Sequence, residues 1–130
     1  MIRHVVVFTW DDEMTDELEQ QFVAELTALA PKLAGLRAYH AGPDAGLVEG
    51  NYDFAVVADF DDVASYVAYR DHPEHQDIIA RLSRPHATSR AAVQLELRRN
   101  PVLSRGLCNK NQNGESLAGG PGTPLVTVTA

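Results

Sequence analysis

An α+β fold in the element order β-α-β-β-α-β is what this 130-residue sequence predicts, and three observations carry it. The runs "IRHVVVFTW" and "YDFAVVADF" are rich in β-branched and aromatic residues, the composition of strands. Between them, "MTDELEQQFVAELTALAPKL" repeats its apolar residues at helical spacing. A proline-broken helical stretch then leads into a last strand-like run, "SRAAVQLELR".

The first strand is read over residues 2–10. Alternation puts His4, Val6, Phe8 and Trp10 on one face, with Val5 and Val7 on the other. The helix that follows spans about four turns. Thr15 is its N-cap candidate, Asp16 and Glu17 suit the positive helix start, and Leu18, Phe22, Leu26 and Leu29 form its apolar stripe. Pro31 falls near the end and bends or stops it. Gly35 opens a second, weaker strand, "LRAYHAG", which closes in a Gly/Pro/Asp loop at 42–50. The third strand covers 52–60. Asp61 and Asp62 are cap candidates for a short helix through Tyr69. A second helical piece starts near Pro73 and turns Ile78, Ile79 and Leu82 inward. The fourth strand covers 89–98.

This order is that of a ferredoxin-like sandwich, an antiparallel sheet with helices on one face. One sheet face is then uncovered, yet "HVVVF" and "FAVVA" are apolar on both faces, where a half-solvated sheet alternates. A second copy of the chain is the economical cover. A symmetric homodimer of these protomers makes a dimeric α/β barrel.

Residues 1–97 hold 7 Lys/Arg against 17 Asp/Glu, which argues against a nucleic-acid partner. No apolar run reaches the roughly 18 residues of a membrane span, and the N-terminus lacks the pattern of a signal peptide. Cys108 is the only cysteine, so no internal disulfide and no cysteine-based zinc site is expected. A cytoplasmic protein is the simplest inference. Residues 1–98 read as one domain. Residues 99–130, rich in Gly, Asn, Ser and Pro, read as a flexible C-terminal tail.

The stretch "AYRDHPEHQDI", 68–78, holds the candidate chemistry. Pro73 suits the first turn of a helix, which puts Asp71 or His72 at the cap. His75 aligns with Ile79 and Leu82 at i+4 and i+7 and so faces inward, while Tyr69 ends the preceding helix within reach across the break. A buried imidazole near neutrality can take and return a proton, and a phenol can donate to a developing oxyanion. A metal pair is disfavoured: the proline puts His72 outside the regular turn, and there is no His-Glu-x-x-His. No phosphate-binding glycine loop is present. No metal or cofactor is therefore expected.

Together "MIRHVVVFTW", "YDFAVVADFDDVASYVAYRDHPEHQDII" and "SRAAVQLEL" resemble, in order and spacing over roughly residues 1–97, the stress-responsive dimeric α/β-barrel (A/B barrel) domain family. The resemblance implies the homodimer already inferred. Members include stress-associated proteins without a known reaction and a plant polyketide cyclase that closes a ring by aldol chemistry without metal or cofactor. By resemblance to that cyclase, Tyr69 and His75 match its catalytic tyrosine and histidine, and His4 matches a first-strand histidine of the same pocket. Phe8, Phe22, Leu26, Val56 and His86 match substrate-lining positions. Phe54 departs from the cyclase, which has a further histidine there, and His86 replaces a bulky aromatic. Two readings follow. One is a cofactor-independent cyclase or lyase acting on a small aromatic or polyketide-like molecule, with His75 as base, Tyr69 as oxyanion donor and His4 as a second acid–base group. The other is a non-catalytic barrel that binds a hydrophobic ligand or stabilises under stress.

Overall fold

The computed structural model describes residues 1–98. The tail assigned to 99–130 lies outside the described residues. Met1–Leu97 form one compact unit. Its strands are β1 (Ile2–Trp10), β2 (Leu36–Pro43), β3 (Phe54–Phe60) and β4 (Ala87–Glu96). Its helices are α1 (Asp16–Leu29), α2 (Val63–Asp71) and α3 (Pro73–Ile78), the last continuing as a π turn over Ile79–Ser83. The sheet order is β2-β3-β1-β4 with every neighbouring pair antiparallel, the ferredoxin-like arrangement. No helix among the described residues is long and apolar enough to cross a membrane.

Local chemistry sets the helix ends. The Thr15 hydroxyl accepts from the Leu18 N–H at 3.1 Å, and Asp16, Glu17 and Glu19 crowd the first turn of α1. Pro31 sits in a short 3₁₀ turn, Ala30–Lys32, which closes that helix. Asp62 caps α2 through the Ser65 N–H at 2.8 Å. His72 caps α3, its Nδ1 accepting from the Glu74 N–H at 3.1 Å, with Pro73 in the first turn. Two strand boundaries differ from expectation. The third strand begins at Phe54 because Asp53 turns aside to hold the loop: its N–H donates to the Phe8 carbonyl, and its carboxylate accepts from the Trp10 N–H, both at 2.8 Å. The fourth begins at Ala87, which pairs with Trp10, and ends at Glu96 opposite Ile2, where β1 begins.

Gly35 joins the 3₁₀ turn to β2 at φ +83°, a conformation that costs other residues about 1–2 kcal/mol. A Cβ there would stand 2.7 Å from the Ser65 Cβ and closer still to its Oγ. Gly35→Ala is therefore expected to destabilise the fold by about 2–3 kcal/mol in chemical denaturation. Adding Ser65→Gly should recover only the contact part, because the backbone strain remains.

Helices and sheet meet on Phe22, Leu26 and Leu29 of α1, Val6 and Phe8 of β1, and Phe54 and Val56 of β3, all buried. The other sheet face carries a second apolar array. Cross-strand register lines up Val57, Val5 and Val93 in one row and Ala55, Val7 and Ala91 in the next. Val93 is 50% exposed and Leu95 42%, both large apolar side chains of β4 open to solvent in the protomer. On the same face, Arg3 forks onto Asp59 at 2.7 and 3.0 Å.

Candidate functional site

A cavity of about 330 Å³ opens between the sheet and the helices, within the size range of small-molecule sites. His4, Val6 and Phe8 supply its β1 wall, Phe22 and Leu26 its α1 wall, and Val56 joins them from β3. Tyr69, His75 and Gln76 come from the two short helices, and Ile79 and Ser83 from the π turn. Ala87, at the start of β4, and the exposed Arg70, Arg84 and Arg90 complete the lining.

The break at Pro73 positions the imidazole. In a continuous helix the Arg70 carbonyl would accept from the Glu74 N–H, but that N–H is taken by His72. The freed carbonyl accepts instead from His75 Nδ1 at 3.2 Å and from Gln76 Nε2 at 2.6 Å. Because a carbonyl can only accept, His75 Nδ1 carries the proton and Nε2 is left as the basic nitrogen. The Tyr69 and His75 rings lie 4.1 Å apart between centroids. Tyr69 is 3% exposed, and its hydroxyl meets that of Tyr39 at 3.1 Å.

His4 has the opposite tautomer. The Gln94 amide nitrogen donates to its Nδ1 at 2.9 Å, so the neutral ring keeps its proton on Nε2. The ring lies 6.1 Å from that of Tyr69 and 5.1 Å from that of Tyr66. Burial pushes His4 down to about 4, with the charges of Arg90 and His75 acting in the same direction. Burial also lowers His75, against the upward pull of the Arg70 carbonyl, and nearby His72 lowers it further. Burial pushes Tyr69 up to about 12, partly offset by its bond to Tyr39, and raises Tyr39 too. At neutral pH the cavity thus holds two uncharged imidazoles and a protonated phenol.

Seven of the eight residues singled out from the sequence line this one cavity: His4, Phe8, Phe22, Leu26, Val56, Tyr69 and His75. His86 does not join them. Its Nδ1 pairs with the Asp11 carboxylate at 3.1 Å, and its N–H and carbonyl bond to Ser83 and Asp11, which ties the β4 approach to the β1–α1 loop. His72 faces its own helix start, so the two histidines of the motif do not converge. Sequence reasoning missed Tyr39, Gln94 and the three arginines. Gln94 and Arg90 were within reach of strand alternation, since they stand opposite His4 and Phe8 across the β1–β4 ladder.

Comparison with known proteins adds the lineage. Residues 2–97 match the model of the stress responsive A/B barrel domain. A dimeric ferredoxin-like protein of unknown function from Thermobifida fusca is 42% identical, with 74% of this chain and 90% of that one covered and a TM-score of 0.69. A second dimeric ferredoxin-like protein of unknown function, from Jannaschia sp., is 29% identical over 74% of this chain and 98% of that one, at a TM-score of 0.64. A hydroxynitrile lyase from Passiflora edulis shares the fold at 16% identity, covering 76% and 94% of the two chains with a TM-score of 0.65. No curated protein matches.

Proposed function

This chain belongs to the stress-responsive A/B barrel domain family, and from that footing we propose that it works as a homodimer whose protomers each carry a cofactor-independent acid–base site. The site acts on a small aromatic or polyketide-like molecule by cyclase or lyase chemistry. One observation carries this reading: the His75 imidazole and the protonated Tyr69 phenol lie 4.1 Å apart between ring centroids on the wall of one cavity. His75 Nε2 removes a proton from the carbon beside a carbonyl, and the electron pair moves onto the carbonyl oxygen. Tyr69 donates a hydrogen bond to that oxyanion, with Tyr39 donating in turn to the Tyr69 oxygen. In an aldol closure the enolate carbon then attacks a second carbonyl of the same molecule, and the protonated His75 returns its proton to the new alkoxide. His4 offers Nε2–H as a second donor. A hydroxynitrile lyase built on the same fold supports only the statement that the frame accommodates lyase chemistry.

The second reading, a non-catalytic barrel for a hydrophobic ligand, is favoured by the Tyr39–Tyr69 bond, which satisfies the phenol without any ligand. Titrating the protein with a linear aromatic β-polyketone while following ring closure separates the two. For the catalytic reading, His75→Ala should leave binding within a few-fold and lower turnover by about 10²–10⁴. Tyr69→Phe should lower turnover by about 10². Because His75 must be unprotonated and its pKa is lowered, the acid limb of the rate profile should fall below pH 6.5, with a plateau above. Binding with no turnover in the wild type would select the non-catalytic barrel.

A further inference from the structure

Residues 1–97 contain 7 cationic side chains among 17 carboxylates, so partners are plentiful. Five of those cations have one: Arg3 pairs with Asp59, Lys32 with Glu74, Arg37 with Asp61, Arg70 with Asp71, and Arg81 with Glu25 and Asp77. Arg84 and Arg90 are the two that pair with nothing among the described residues, and both line the same cavity. Chance distribution over an acidic body would not favour this. The cavity itself offers no counter-charge, since no carboxylate lines it and its phenol is protonated. Arg90 already acts there electrostatically, disfavouring the charged form of His4 and opposing the upward shift of Tyr69.

We propose that the cavity takes an amphipathic ligand bearing a carboxylate, its aromatic or acyl body against Phe8, Phe22 and Leu26 and its carboxylate held at the rim by Arg84 and Arg90. The planar guanidinium fork matches a carboxylate in geometry as well as charge. Carboxylate capture also suits the chemistry proposed above, because Arg84 and Arg90 line the same cavity as His75 and Tyr69 and would hold an acid within it. The inference rests on the reading of this cavity as a ligand site, and it adds the ligand's charge.

The test is calorimetric titration of the full chain with 2-naphthoate, its neutral partner 2-naphthamide, and inorganic phosphate. The wild type should bind naphthoate about 10- to 100-fold more tightly than naphthamide, the range of charge-assisted hydrogen bonds. Arg84→Gln/Arg90→Gln should erase that preference, so that naphthoate binds no more tightly than naphthamide. Both side chains are exposed, so the fold should survive, and circular dichroism checks it. Equal affinity for acid and amide in the wild type would overturn the carboxylate assignment and leave the ligand site standing. A preference surviving in the double variant, or phosphate competing as well as naphthoate, would overturn it too. No binding of either naphthyl compound would sink the ligand site itself.

Discussion

Val93→Glu should convert the protein from a dimer to a monomer in sedimentation velocity at micromolar concentration. The residue is 50% exposed in the protomer, so an isolated chain tolerates the charge with little loss of stability. In a face-to-face dimer it becomes buried, because Val93 stands in the row Val57–Val5–Val93 that the second sheet would cover. An uncompensated charge inside an interface costs several kcal/mol, and two-fold symmetry introduces two of them. The dissociation constant should rise by about 10³ or more. Val63→Glu, on the helix layer and 61% exposed, is the control and should leave the dimer intact. An unchanged sedimentation coefficient for Val93→Glu would place the partner surface elsewhere or remove it.

The same face shows what the sequence could and could not convey. Apolar residues on both parities of β1 and β3 signalled an apolar second sheet face, and register shows two apolar arrays. In β4 that signal misleads. Its large apolar residues, Val93 and Leu95, point away from the helices, while Arg90 and Gln94 share the helix face with Phe8 and His4. Period-two alternation finds the core face of a strand only when the other face is wet. With an apolar second face, parity alone does not say which side is which. The site divides along similar lines. Residues fixed by local rules were legible: the Pro73 break, the His72 cap and the inward aspect of His75 follow from spacing and helix-end chemistry. Residues fixed by long-range pairing were not. Tyr39 reaches Tyr69 across 30 positions and Gln94 reaches His4 across 90, and no local pattern encodes either contact. His86 failed for a related reason: its partner, Asp11, sits in a loop whose path depends on where β1 ends.

Phe22→Ala is expected to produce the largest loss of stability of any single substitution on the helix face. Phe22 is fully buried and joins three aromatic neighbours, with ring centroids 5.3 Å from Phe54, 6.1 Å from Trp10 and 6.4 Å from Phe8. Edge-on and tilted contacts of this kind add to the burial of the ring itself. Removing a buried phenyl costs about 3–5 kcal/mol, the transfer term plus the void left behind. Phe22 also lines the cavity, so part of that void opens into existing space and fills with water or ligand instead of remaining closed. That places the expected cost toward the lower end, about 3 kcal/mol, or roughly 12–24 °C in melting temperature for a domain of this size. Melting must be compared at one protein concentration, since association shifts the midpoint by mass action. Phe22→Leu should recover most of the loss, because an aliphatic side chain refills the α1–sheet contact without the ring. The two variants should diverge on the ligand side as well. Naphthyl affinity should fall in both, as each removes an aromatic wall, although only the alanine variant is severely destabilised. A shift of a few degrees for Phe22→Ala would mean that α1 is held to the sheet by Leu26 and Leu29 alone, and that the aromatic cluster is not the centre of this core.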